Sequence, residues 1–210
     1  MTGGISVARW GIQRQPHTVG GIWQFHRDNE VKVTGSMPRN IGELGPGANL
    51  GTCIAALLDG VESAIAFDAG NWSDPSICAA DSLDLIFSHS VMEHVADPAA
   101  TYTACHRWLK PGGVLSHKVD HSSHGITRAW NGHYFLSDAL WSVIYGNRPC
   151  LLNRMRPRQY IAALREAGFE LLPETRFVID ETSPREITLK EFPDDDCFIR
   201  ASTLVARKRS

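Results

Sequence analysis

The sequence predicts an α/β fold built on a mostly parallel sheet, and three observations carry that prediction. Ile41-Gly42-Glu43-Leu44 runs into the glycine turn Gly45-Pro46-Gly47 and then into a helical stretch, as a strand–turn–helix does. A second short apolar run, Ala64-Ile65-Ala66-Phe67, closes on Asp68 one helix length later. Apolar runs at 83–88 and 114–120 flank a further helical segment, and the chain ends in two strand-like runs with no helix between them. Strands alternating with helices pair in parallel, whereas strands joined only by a loop pair antiparallel.

Each element follows in order from local chemistry. Residues 1–37 mix glycine, aromatic and charged residues without a sustained period, which suggests a partly ordered N-terminal cap with Ile22-Trp23-Gln24-Phe25 as a docking segment. Residues 38–210 then form one domain. Its first strand is 39–44, and its first helix, 48–58, is stopped by Gly60. The second strand is 63–68 and the next 83–88. Pro98 opens a helix over 98–109, where a first-turn proline costs no hydrogen bond. Lys110-Pro111-Gly112-Gly113 breaks that helix, and 114–120 returns as a strand. Residues 121–153 are rich in Trp, Tyr, Phe and His and follow a strand's C-terminal end, where open α/β sheets bind ligands, so they are expected to roof a pocket. An amphipathic helix over 157–167 ends at Gly168, and 169–179 with 198–207 form the antiparallel terminal pair. The loop containing Asp194-Asp195-Asp196 joins them.

Composition narrows the class. A chain of 210 residues suffices for one well-buried domain, and a formal charge of −2 gives no general attraction for nucleic acid or anionic membranes. Cys53, Cys78, Cys105, Cys150 and Cys197 are scattered with no C-x-x-C pair, which fits a reduced, cytoplasmic compartment. No apolar run approaches the ~18 residues that span a bilayer.

The segments Asp84-Leu85-Ile86-Phe87-Ser88-His89-Ser90-Val91-Met92-Glu93-His94-Val95 and Leu109-Lys110-Pro111-Gly112-Gly113-Val114-Leu115, downstream of Glu43-Leu44-Gly45-Pro46-Gly47, resemble the class I S-adenosylmethionine-dependent methyltransferases. The resemblance covers roughly 38–207 and is to the type 11-like group. It implies a Rossmann-like sheet, mostly parallel with an antiparallel C-terminal strand, and S-adenosyl-L-methionine as cofactor. It places Glu43, Gly45, Pro46 and Gly47 around the methionine portion, Asp68 and Ala69 at the ribose, and Ser88, His89 and His94 beside the methionine portion and the reacting methyl. One departure stands out: residues 69–82 must replace a helix, a strand and two turns, which need about twice that length. The family's third strand, at the sheet edge, is therefore expected to be missing. Asp81 is then the candidate carboxylate for adenine and Trp72 the candidate stacking ring, while Asp84 is expected only to organise a strand start.

Methyl transfer is an in-line displacement, so the protein mainly positions the acceptor and excludes water, and a hydroxyl acceptor gains from a general base. His121 and His124, just past the strand ending at Asp120, are the candidates for that base. Alternation puts His117 and Val119 on one face of the strand and Lys118 and Asp120 on the other. Asp120, His121 and His124 offer a carboxylate and two imidazoles, but without the i, i+4 helical spacing, and no metal is expected. Arg154, Arg156 and Arg158 would clamp a carboxylate or phosphate if two point inward. The implied function is methylation of a small-molecule or glycan-type acceptor, on oxygen rather than nitrogen. The alternative is a degenerate domain kept for binding or scaffolding. A nicotinamide oxidoreductase is disfavoured because Gly45, Gly47 and Gly51 miss the G-x-G-x-x-G spacing by one residue.

Overall fold

Seven strands make one sheet in the computed structural model, which describes residues 18–68, 77–148, 151–180 and 195–209. They are β1 (Asn40–Leu44), β2 (Ser63–Phe67), β3 (Leu83–His89), β4 (Leu109–Asp120), β5 (Phe169–Leu171), β6 (Arg176–Ile179) and β7 (Ile199–Lys208). The order is β2-β1-β3-β4-β7, and β5 and β6 both pair with the far side of β7. The first four strands run parallel, and β7 is antiparallel to β4, β5 and β6. This is the expected α/β sheet with an antiparallel C-terminal part. Among the described residues β2 is the edge strand, and 77–82 form turns rather than a further strand.

Helices cover both faces because the strand residues alternate. On one face α1 (Val19–Thr34) and α2 (Gly51–Leu58) bury Trp23 and Ala56 against Ile41, Leu85, Phe87, Val114 and Val205. On the other, α3 (Pro98–Trp108) and α5 (Pro157–Glu166) bury Tyr102, Trp108, Tyr160 and Leu164 against Leu44, Ile86, Leu115, Val119 and Leu204. Each such large side chain contributes about 1.5 to 3 kcal/mol on burial. The short α4 (Asp138–Tyr145) lies within the 121–153 segment.

Four local differences from expectation have clear causes. Residues 19–34, expected within a loosely held cap, are an integral helix: Thr18 caps its N-terminus, Gly35 ends it in the left-handed region, and buried Trp23 donates to Asp59 at 2.8 Å. The first helix of the sheet domain starts at Gly51 rather than 48, where Asn49 Oδ1 accepts the Gly51 N–H. β4 begins at Leu109 rather than 114, because Lys110–Gly113 bulges out of the β3 ladder between the Leu83–Leu109 and Leu85–Val114 pairs. The single strand expected over 169–179 is split, and across the break Thr175 Oγ1 bonds both the N–H and the carbonyl of Val205. No helix among the described residues is long and apolar enough to cross a membrane.

Candidate functional site

The four parallel strands end at the same edge of the sheet, and the turns that leave them form the site. Gly45 and Gly47 both have positive φ, 67° and 71°, and the Gly45 N–H donates to the Phe67 carbonyl at 2.7 Å. A Cβ on Gly45 would meet Val91 at 2.6 Å, whereas one on Gly47 would meet nothing within 4 Å, so Gly45 is fixed by packing and Gly47 leaves open ground above the turn. Parallel pairing of Leu44 with Phe67 brings Asp68, exposed at the end of β2, level with Gly45. Ala69 and Trp72 lie outside the described residues. Glu43 is buried and turned toward the start of α2, where its carboxylate accepts from Cys53 Sγ at 3.1 Å. That helix has no side-chain N-cap, so Glu43 serves its first turn, and burial raises its pKa against the hydrogen bonds that lower it.

The second half of the site lies past β3 and β4. A 3₁₀ turn, Met92–His94, carries Glu93 and His94, and Asn153 holds it by donating to the carbonyls of Met92 and Val95 at 2.7 and 2.9 Å. From the β4 side, Asp120 accepts the Ser122 N–H at 2.8 Å and lies 3.6 Å from His124 Nε2. His124 sits at φ 49°, a conformation that L-residues rarely adopt, and its ring stands 5.1 Å from that of His94. Glu93, His94 and His124 each bring one ligand-type atom within 4.8 Å of the others. Glu93 is 3% exposed, and neither carboxylate oxygen has a hydrogen-bond partner of ordinary geometry. Burial, with the Asp120 charge added, pushes its carboxyl up to about 8. Asp120 goes the other way: His124 and Ser122 hold it far below the usual carboxylate range although burial opposes them. In return Asp120 raises His124, against burial and with help from Glu93. Lys118, also buried, lies near enough to feel both Asp120 and Glu93.

Other candidate residues are elsewhere. His121 extends the alternation of β4, so it joins His117 and Val119 on the α3–α5 face: it is 3% exposed, bonded to Ser202 Oγ at 2.9 Å and packed on Tyr160. Burial drives its pKa down to about 3, and it cannot reach an acceptor at the strand ends. Ser88 is fully buried on that face, with its hydroxyl bonded to His117 Nδ1, so only its backbone borders the site. His89 turns to the opposite face and meets His26 of α1 at 3.3 Å. Asp81 precedes β3 and therefore lies at the opposite end of the sheet, paired with Lys208 Nζ at 2.6 Å, which removes it from any adenine site. Asp84 organises the strand start as expected, accepting from the Arg39 and Asn40 amides and from Lys110.

The described part of the 121–153 segment carries the 3₁₀ turn Gly132–Phe135 and α4. Arg154 donates to the carbonyls of Tyr134 and Leu136 and stacks 5.1 Å over Trp141, bracing this segment rather than presenting a free clamp. Arg158 faces Asp196 at 3.8 Å. A cavity of about 340 Å³ opens between Tyr134, Asp138, Trp141, Asn153, Arg154 and Arg156.

A family profile described as a methyltransferase domain matches residues 25–174. The chain belongs to that family. Its fold is similar to that of an S-adenosylmethionine dependent methyltransferase from Mesorhizobium loti, with a TM-score of 0.58 and 16% identity over 91% of this chain and 99% of that one. It is also similar to the Haemonchus contortus phospholethanolamine N-methyltransferase 2 in complex with phosphomonomethylethanolamine and S-adenosylhomocysteine, with a TM-score of 0.51 and 15% identity over 90% of this chain and 53% of that one. Among curated proteins it is 41% identical over 61 residues to a ubiquinone biosynthesis O-methyltransferase of Cereibacter sphaeroides strain KD131, covering 29% of this chain. The match spans a quarter of that relative's length.

This methyltransferase domain has the class I S-adenosylmethionine-dependent fold, and its strand ends fit that cofactor. The open turn at Gly47 leaves room for a ligand, and Asp68, exposed at the end of β2, lies level with Gly45. Sequence reasoning assigned no chemical role to Glu93 or Lys118. The signal for Glu93 was its adjacency to His94 immediately past a strand end.

Proposed function

We propose that this methyltransferase domain transfers the methyl group of S-adenosylmethionine to a hydroxyl of a small-molecule or glycan-type acceptor held beneath the 121–153 roof. The observation that carries the reading is the Asp120–His124 pair, 3.6 Å apart at the end of β4 and next to the Met92–His94 turn. When bound, the cofactor supplies an electrophilic methyl on a sulfonium. Gly45, Gly47 and Asp68 would hold it, as the matching motifs imply. Asp120 orients His124 and favours its protonated form, so the imidazole is a stronger base than a free one and accepts the hydroxyl proton once it is itself neutral. Tyr134, Trp141 and the Asn153-braced turn exclude water above the reacting atoms. An oxygen acceptor is favoured over nitrogen because the site offers a base, which an alcohol or phenol hydroxyl needs and a neutral amine does not.

The test is direct. Titration calorimetry with S-adenosylmethionine and S-adenosylhomocysteine reports the cradle, and transfer of an isotopically labelled methyl group to phenols, sugar hydroxyls and amines reports the acceptor. Binding with transfer to hydroxyls supports the reading; transfer to amines alone would overturn it. Absence of any cofactor binding would favour the degenerate, scaffolding alternative, for which the short 69–82 connection is the motive.

A further inference from the structure

Glu93 poses the sharpest question left by the site: a carboxyl sealed from water, with neither oxygen given a hydrogen bond of ordinary geometry, beside two imidazoles. A buried acceptor left without partners costs about 1 to 3 kcal/mol, more if charged, and evolved folds rarely leave such a group idle. The backbone amides of Glu93 and Asp120 favour its charged form against burial, and Lys118 and His124 are cationic groups near enough to interact with it.

From this arrangement we propose that Glu93, His94 and His124 bind a divalent first-row transition cation at the ends of β3 and β4, with Asp120 orienting His124. The donor atoms lie within 4.8 Å of one another. Ligands bound at about 2.0 to 2.2 Å stand at most about 4.4 Å apart, so small side-chain rotations close the site. Two imidazoles with one carboxylate suit Zn²⁺, Co²⁺ or Mn²⁺ better than Ca²⁺ or Mg²⁺, which prefer oxygen donors. A carboxylate 3.6 Å from the ring nitrogen of His124 stands where carboxylates commonly orient ligating histidines. His124 combines a positive φ, a strained conformation of the kind that clusters at binding sites, with a ring 5.1 Å from that of His94. Three protein ligands leave a coordination position open. The inference rests on the hydroxyl-acceptor reading for its role: in the cation-loaded protein a hydroxyl bound at that position would lose its proton at lower pH with His124 as ligand, whereas in the cation-free protein His124 is the base.

The test uses the full chain without an affinity tag, stripped with chelator and dialysed. Co²⁺ is titrated while visible absorption is recorded, and Zn²⁺ and Ca²⁺ are followed by calorimetry. The expected result is one Co²⁺ per chain with visible ligand-field bands, displacement by Zn²⁺, and much weaker binding of Ca²⁺. Glu93→Gln, which keeps the shape, and His94→Ala, which touches a less buried group, each weaken Co²⁺ binding by about a hundredfold or more, while His106→Ala, on the far end of α3, leaves it unchanged. Circular dichroism confirms that the variants fold, and His94→Ala carries the test if Glu93→Gln does not. Absence of the bands, or wild-type Co²⁺ affinity in a folded Glu93→Gln or His94→Ala, overturns the site. Methyl transfer that survives chelation yet requires His124 overturns the cation and keeps the base. One Co²⁺ bound with transfer to amines only keeps the cation and overturns the hydroxyl acceptor.

Discussion

The two ends of the sheet treat their carboxylates in opposite ways. At the end where β3 starts, Asp84 takes two backbone amides and Lys110, and Asp81 takes Lys208 at 2.6 Å: every charge has a partner of opposite sign or a donor. At the end where β3 and β4 finish, neither carboxylate oxygen of Glu93 has a hydrogen-bond partner of ordinary geometry, and Asp120 serves an imidazole on a strained turn. The first arrangement lowers the free energy of the fold, and the second leaves polar capacity for something else. That asymmetry matches the rule that open α/β sheets bind ligands beyond their strands' C-terminal ends.

The largest expected effect breaks the unsatisfied end. His124→Ala should lower kcat about a hundredfold or more with cofactor affinity nearly unchanged, because proton transfer of this kind is worth about 10²–10⁴. The pH profile gives the sign. His124 is raised above 6.5 by Asp120 and by Glu93 and lowered by burial, with the His94 and His133 rings and Lys118 also near the cluster. Turnover should therefore fall as pH drops through a value above 6.5. In Asp120→Asn that limb should move to lower pH, because the imidazolium loses its counter-charge. A limb that stays in place would show that another group titrates.

Next in size is Asp68→Ala. Loss of two hydrogen bonds to a carboxylate at an exposed strand end should weaken S-adenosylmethionine binding by about 1.5 to 3 kcal/mol, read by calorimetry. Unchanged affinity would move the cradle away from β2.

Much of the fold was legible because strand, glycine turn and helix alternate in period and in turn chemistry: β1, β2, β3, α3 and α5 fall within a residue or two of expectation. The role of Asp84 was legible too, since a carboxylate opening a buried strand has local amides to accept. The misreadings share a cause, which is that contacts distant in sequence decide them. Residues 19–34 looked patternless until Trp23 and Ala56 met the same sheet face. His121 looked like a loop base, although continuing the alternation of His117 and Val119 by one step places it under α5. Asp81 was assigned by closeness in sequence to the missing strand, and only the pairing with Lys208 shows which end of the sheet it serves.

At the satisfied end, Asp84→Asn should cost stability and nothing in turnover. The side chain is 23% exposed and holds Arg39 and Asn40 through their amides, so about 1 to 2 kcal/mol is expected from urea unfolding. Burial alone would raise Asp84, but Lys110 and the two amides outweigh it and its pKa is lowered. A lowered folded-state pKa contributes stability that is present above the unfolded value near 3.9 and lost as pH falls through the folded value. Wild type and Asp84→Asn should therefore converge in stability as pH falls through that folded value. A gap that persists at lower pH would assign the effect to packing.

The smallest effect sharpens the comparison most. Lys208→Met removes the partner of Asp81, whose side chain is 56% exposed, so water can take over the carboxylate and at most about 1 kcal/mol should be lost. Part of that loss belongs to the Leu109 carbonyl, which also accepts from Lys208 Nζ at 2.9 Å at the start of β4. Salt separates the two contributions, since screening weakens the exposed ion pair and leaves the hydrogen bond to the carbonyl nearly untouched. If the difference in unfolding midpoint between wild type and Lys208→Met shrinks in high salt, the pair carries it; if it does not, the strand-start carbonyl does. Cofactor affinity should be unchanged in both conditions, and a loss of affinity would return Asp81 to the binding site and undo the division between the two ends.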